Sequence, residues 1–333
     1  VSATARAELI EDRGEAATSE EFFRSRQFLE AEGVTHTLRI TGDGTELVAP
    51  LIVREIDGGP ERDAISPYGY PGLVERIRGG ALRSNSGEAP QDTPPNPPIL
   101  PPESIDFSAT GLVAIFLRHT LSELPLGSAS ERNVVQIADP ALPAKSRGSD
   151  RNQINKNLRN GYELMLVPGP ETSTVQRAGF LSAYEQTMRR TGAAERYFFG
   201  APYFDRVLES PRTWLALAEA PDGPIAAASI AAAGDGYLHY YLSGSTDSHL
   251  RDSPMKNVVA SLVELSTELG MPLNLGGGIS RGDRLEGFKR GFANRELPWH
   301  TSEIVADRAT YDRLSADRSA VGDFFPAYRA PSA

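Results

Sequence analysis

The sequence contains no cysteine, which removes disulfides, thiolate catalysis and cysteine metal sites together. Lysine is scarce as well. Of 34 basic residues only Lys145, Lys156, Lys256 and Lys289 are lysines, so the places of those four are more informative than usual. No apolar run reaches the roughly eighteen residues that a membrane-spanning helix needs. The N-terminal stretch VSATARAELIEDRGEAATSEEFF is polar and acidic and lacks the charged-then-apolar layout of a secretory signal. The expected location is therefore cytoplasmic. No Gly-Lys pair is followed by Ser or Thr, which excludes a P-loop. His36, His119, His239, His249 and His300 show no metal-ligand spacing, and no Ser-His-Asp constellation can be assembled along the chain. No metal site is expected.

What is present suffices for one large domain or two of ordinary size: 333 residues, 40% hydrophobic, with a net charge of −10. That charge argues against a protein that is basic all over but allows local basic patches. Thr18-Ser19-Glu20-Glu21 reads as a capping box opening a helix that carries Phe22, Phe23, Phe28 and Leu29. THTLRI, TGDGT and ELVAPLIVREI read as strand, turn and strand. A loop, DAISPYGYPG, and a short helix around Leu73 to Ile77 come next. Residues 83–103 carry seven prolines between Pro90 and Pro102 and are expected to be an extended surface loop. A second domain is expected from 149 to 310. It opens with a helix over DRNQINKNLRN, followed by a helix over 171–189 with Val175, Phe180, Tyr184 and Met188 on its apolar side. A three-strand antiparallel meander and the strongly periodic helix SPMKNVVASLVELSTELG complete the pattern. The first domain then covers 1–148, and a tail over 311–333 is expected to pack back on it. No alternating parallel strand–helix series occurs, so the expected fold class is α+β with mixed, largely antiparallel sheets flanked by helices.

The stretch NLGGGISRGDRLEGFKRGF, residues 274–292, holds three consecutive glycines and one lysine between two phenylalanines. Its glycine spacing does not fit a dinucleotide fingerprint. The pyrophosphate-binding pattern of acetyl-coenzyme A transferases occurs at Arg76-Gly79-Ala81 and Arg189-Gly192-Ala194, each after an expected helix rather than a strand. Asp283 and Glu286 form a capping pair, so a helix should begin near Arg284 and stop at Gly291. At about 100° per residue Leu285, Phe288 and Phe292 share an arc of roughly 60°, with Lys289 about 40° beyond Leu285 on its rim. A lysine there either snorkels to water or holds its ammonium in a lined pocket. Two basic clusters stand out, Lys145, Arg147, Arg151, Lys156 and Arg159, and Arg281, Arg284, Lys289, Arg290 and Arg295. Such clusters suit phosphate backbones, and a solvated helix face gives the same pattern. Alternation on a strand places Tyr237, His239 and Tyr241 on one face and Tyr240 on the other.

Taken in order, SPYGYPG, RNQINKNLRNGYEL, RYFFGAPYFDRVL, YLHYYLSGS, MKNVVASLVELSTELGMPLNLGGG and DRLEGFKRGF resemble the Fem family of aminoacyl-tRNA-dependent transferases. The resemblance covers roughly residues 20 to 311. It implies two tandem domains, each like a GNAT acetyltransferase but without bound coenzyme A. It also implies transfer of an amino acid from aminoacyl-tRNA, the co-substrate, onto an amine, with no cofactor. By this resemblance Lys289 supplies a cation to the carbonyl oxygen as it becomes anionic, and Phe288 packs against the tRNA 3′ end. Lys145, Arg147, Arg151, Lys156 and Arg159, aided by Arg281 and Arg284, would bind the acceptor stem. Tyr68, Tyr70, Arg196, Tyr237 and Tyr241 would line the aminoacyl or acceptor pocket beside Gly276, Gly277 and Gly278. The acceptor implied is a peptidoglycan precursor, a peptide or a small molecule, as in relatives that modify natural products. The proline-rich stretch after SPYGYPG favours the last two. Two rival readings stay open: transfer from acyl-coenzyme A, and a non-catalytic GNAT-like binding module.

Overall fold

The computed structural model describes residues 5–42, 44–76, 82–83, 104–121, 123, 126, 130–278, 282–316 and 324–330. The proline-rich stretch, from residue 84 on, and Arg281 lie outside the described residues. The chain divides into two compact units, residues 1–132 with 299–333, and residues 133–298.

The first unit begins with β1 (Ala5–Ile10), α1 (Arg26–Ala31), β2 (His36–Gly42), β3 (Thr45–Glu55), β4 (Arg62–Ile65), β5 (Val74–Arg76), β6 (Leu82–Arg83), β7 (Ile105–Asp106) and β8 (Ala114–Arg118). β1 to β4 pair antiparallel in sequence order, while β7 lies parallel to β1 and β8 parallel to β4. Alternation decides which side faces inward: Leu38 and Ile40 of β2 and Leu47, Ala49 and Leu51 of β3 enter one core with Ile115 and Leu117. Two expectations are corrected here. The helix expected to start at Thr18 instead begins at Arg26, where the Ser25 side chain accepts the Phe28 N–H at 3.3 Å. Phe22, Phe23 and Phe28 are fully buried, their ring centroids 5.0–5.3 Å apart, so aromatic packing rather than helical periodicity organises that stretch. The segment expected as a helix around Leu73 is strand β5, because Val74 and Glu75 pair with β3.

The second unit contains β9 (Ser130–Ala138), α2 (Gly148–Arg159), β10 (Glu163–Pro168), α3 (Thr174–Thr191), α4 (Ala201–Leu208), β11 (Thr213–Glu219), β12 (Ile225–Gly234), β13 (Tyr237–Ser245), α5 (Met255–Leu269), β14 (Leu273–Gly276) and α6 (Arg284–Lys289). The chain ends with β15 (Arg295–Val305) and α7 (Arg308–Ser315). The sheet of the second unit runs β10-β11-β12-β13-β14-β9, antiparallel except for the β13–β14 pair. The unit boundaries fall at 132 and 298, not at the expected 148 and 310. Residues 136–138 of β9 pair with β14, and residues 301–305 of β15 pair with β8 of the first unit. In the first unit the tail is tied by Asp63, a buried carboxylate that accepts from Arg54, Arg329 and the Tyr328 hydroxyl.

β12, IAAASIAAAG, is buried along nearly its whole length because helices cover both faces. Val258, Val259 and Leu262 of α5 pack on Ala227, Ala231 and Leu238 from one side. On the other side α3 comes so close that a Cβ on Gly244 would lie 2.3 Å from the Ala183 carbonyl oxygen. Gly244→Ala should therefore push α3 off the sheet. It is expected to cost about 1–3 kcal/mol or more, read as a lower denaturation midpoint with an unchanged slope. Phe180 and Tyr184 are buried on α3 as expected, but Val175 is 79% exposed, since it lies about 140° around the helix from Phe180. Among the described residues no helix is long and apolar enough to cross a membrane. No group of three or more acidic or histidine side chains among them could hold a metal ion.

Candidate functional site

β13 and β14 run parallel but pair over only two positions, Leu238 with Leu273 and His239 with Asn274. Where the pairing stops, β14 ends in the glycine turn. Gly276 has φ +74, a left-handed conformation that glycine adopts without steric penalty. Its N–H donates to Asn274 Oδ1 at 2.8 Å, and Asn133 Nδ2 donates to the Gly278 carbonyl at 2.9 Å. α6 follows with the expected cap. Asp283 Oδ1 accepts the Glu286 N–H at 2.7 Å, and Glu286 Oε2 accepts the Gly282 N–H at 2.7 Å.

The rotation of α6 differs from the expected one. Leu285 is 39% exposed and Phe288 half-buried, whereas Lys289 is only 8% exposed and Glu286 is buried beside it. Glu286 is drawn inward by the Gly282 N–H and is also paired with Arg290, and Lys289 shares its face at the i+3 position. The Lys289 ammonium does not snorkel. Its Nζ donates to the Gly277 carbonyl at 2.7 Å and sits 6.0 Å from the centroid of the Tyr240 ring. It therefore stands between the parted ends of β13 and β14. Among the described residues no carboxylate lies within ion-pair distance of it, and the Gly277 carbonyl is its one hydrogen-bond acceptor. Burial pushes its pKa down to about 8, with the Asp283 charge pulling the other way. Phe288 meets Phe292 edge-on at 5.6 Å.

Tyr240 was not among the expected site residues, yet its ring is the aromatic face nearest the ammonium among the described contacts. Its hydroxyl accepts from Ser243 at 2.6 Å, and burial raises its pKa to about 12, keeping it neutral. Alternation had set it on its own side of β13, but nothing in the sequence said which side α6 would meet. Tyr237 is buried, its pKa likewise raised to about 12, with its ring 6.1 Å from His239. Tyr241 is the extra residue of a bulge opposite Ile230 and Ala231, and its hydroxyl meets that of Tyr203 at 2.6 Å. Arg196 falls in the short α3–α4 connection, where it is exposed and lies over the ring of its neighbour Tyr197 at 5.0 Å. Tyr68 and Tyr70 belong to the first unit. There the Tyr68 N–H donates to Glu32 at 2.7 Å, and the Tyr70 ring packs 5.5 Å from Phe23 and 5.4 Å from Trp299.

Lys145, Arg147, Arg151, Lys156 and Arg159 are all exposed, as is Arg284. On α2 the buried Asp150 and Asn157 lie about 20° apart, and Arg151, Lys156 and Arg159 occupy the opposite, solvent side. The buried side is fixed to α5 by Lys256 on Asp150 at 2.9 Å and by Asn157 on Asn257 at 2.7 Å. Asp150 also abuts the segment after α6, since a Cβ on Gly291 would lie 2.8 Å from its Oδ2. The two basic stretches are thus neighbours in the fold.

The first unit does assemble an order of bonds that the sequence could not reveal. His119 Nδ1 meets Glu123 at 2.6 Å and its Nε2 meets the Ser302 hydroxyl at 2.7 Å, across 183 positions of sequence. His119 and Ser302 are fully buried, and Ser302 Oγ also accepts the Leu126 N–H at 2.8 Å. This arrangement clasps β15 to the turn after β8 and offers no accessible nucleophile.

No family model and no curated protein matches the sequence. The solved structures that share the fold include the following two. FemX is 11% identical with a TM-score of 0.57, over 87% of this chain and 93% of that one. The C-terminal domain of a putative lysylphosphatidylglycerol synthetase from Agrobacterium fabrum is 12% identical with a TM-score of 0.54, over 90% and 92%. At such identities the likeness is one of fold: the chain has the α+β, Fem-like fold that the sequence resemblance implied.

Proposed function

We propose that the protein is an acyltransferase that moves the aminoacyl group of a charged tRNA onto an amine. The observation that carries this reading is Lys289, a buried cation with no acidic partner among the described residues, held by the glycine turn where β13 and β14 part. An amine nitrogen attacks the ester carbonyl carbon, a C–N bond forms, and the carbonyl oxygen becomes anionic. A fixed cation beside that oxygen is worth about 3 kcal/mol, roughly a hundred- to thousandfold in rate. The C–O bond to the ribose then breaks, and the proton lost by the amine ends on the departing ribose oxygen, relayed by the neighbouring ribose hydroxyl. Phe288, half-exposed beside Lys289, offers a ring for the terminal base of the tRNA. The exposed basic side of α2 offers cations to the phosphate backbone. Peptides and small molecules are the acceptor classes to test first, with a peptidoglycan precursor beside them.

Incubating the protein with mixed charged tRNA and candidate amines, with new amides detected by mass spectrometry, is expected to give a tRNA-dependent product. Absence of product from every donor and acceptor, together with tight coenzyme A binding by calorimetry, would overturn this reading in favour of an acyl-coenzyme A donor.

A further inference from the structure

Behind the glycine turn lies a buried histidine that the proposed chemistry does not use. His239 is 2% exposed and Asn274 1%. The Nε2 of His239 faces the Gly234 carbonyl at 3.2 Å, and its Nδ1 faces Asn274 Nδ2 at 3.0 Å. A carbonyl oxygen only accepts, so Nε2 carries the proton and Nδ1 accepts from the asparagine amide. That choice orients the whole Asn274 side chain, turning its Oδ1 to the Gly276 N–H. One direction of donation therefore runs from Gly276 through Asn274 and His239 to Gly234. Burial holds the His239 imidazolium down to about 4, so the ring stays neutral and the chain of bonds does not reverse near neutral pH. The next residue, Gly277, offers the carbonyl that Lys289 binds.

We propose that His239 and Asn274 are positioning residues: they fix the bend at Gly276 and so aim the Gly277 carbonyl at the Lys289 ammonium. Their significance for catalysis rests on the function proposed above, but their effect on Lys289 can be read without any activity. Among the described residues the charged and polar groups facing the ammonium are Asp283 on its own helix side, the Gly277 carbonyl and the Tyr240 ring. None of them is altered by the substitutions below. With the relay cut, the turn no longer holds the lysine away from water, and its titration should move toward that of an ordinary lysine.

The test is acetylation of the folded protein across a pH series, with modification of Lys289 counted by peptide mass spectrometry. The other three lysines serve as internal references. The midpoint for Lys289 is expected near 8 in the wild type and about one pH unit or more higher in His239→Leu and Asn274→Leu. His239→Gln, which retains a donor and an acceptor, is expected to restore the low midpoint. An unchanged midpoint in folded leucine variants would overturn the proposal. Should neither leucine variant fold, nitrogen NMR of the wild-type imidazole decides: a proton on Nε2 supports the relay and one on Nδ1 refutes it. A shifted midpoint in a protein that transfers nothing would leave the relay standing and remove the proposed function alone.

Discussion

Lys289→Met is expected to reduce transfer by roughly a hundred- to thousandfold, the loss typical of removing one fixed oxyanion partner, while the protein remains folded. Methionine fills similar space and brings no charge to desolvate. The pH dependence carries a second signature. In the proposed function the cation is the active form, so the wild-type rate should fall as pH rises through about 8, where Lys289 loses its proton. A lysine acting as a base would give the opposite slope. Stability moves in the other direction. The folded-state pKa lies below the ordinary 10.5, so the folded chain binds the proton less tightly than the unfolded one. The penalty, on the order of 3 kcal/mol, is fully present below pH 8 and disappears between pH 8 and 10.5. Lys289→Met should thus be at least as stable as wild type at pH 7, and it should lack the gain in stability that the wild type shows over that alkaline window. Near-normal turnover by the variant would remove Lys289 from the mechanism.

Neutralising Arg151, Lys156 and Arg159 together is expected to weaken tRNA binding roughly a hundredfold at physiological ionic strength and to flatten its salt dependence by nearly three logarithmic units per decade. The three side chains are exposed, and among the described residues none has an acidic partner. Their loss should leave folding stability within about 0.5 kcal/mol. Filter binding or fluorescence titration across a salt series reads both quantities. In a chain of net charge −10, a polyanion is repelled by the whole and attracted only by a local face, so removing that face should be conspicuous. Unchanged affinity and slope would show that α2 is merely a solvated helix.

The capping pair Asp283 and Glu286 located α6 to within a residue, because capping is a contact between positions three apart. The meander and α5 were legible for the same reason, since their periods of two and 3.6 are local properties. The Phe22 to Phe28 stretch was misread, because its aromatic rings cluster with one another in the core rather than along a helical stripe. Tyr240 was not legible as a neighbour of Lys289, since sequence gives the face of an element but not what the face meets. The Ser302–His119–Glu123 clasp was invisible, its ends being 183 positions apart.

The sequence by itself determined that the only lysine beside the glycine triplet sits on a short capped helix, and that the stretch from Lys145 to Arg159 is locally basic and partly helical. Both follow from chain geometry over a few residues. Only the tertiary structure decided that Lys289 is turned inward onto the Gly277 carbonyl, with its pKa near 8. Burial and hydrogen bonding of that ammonium depend on where β13, β14 and α6 meet, and no local pattern encodes a meeting of distant segments.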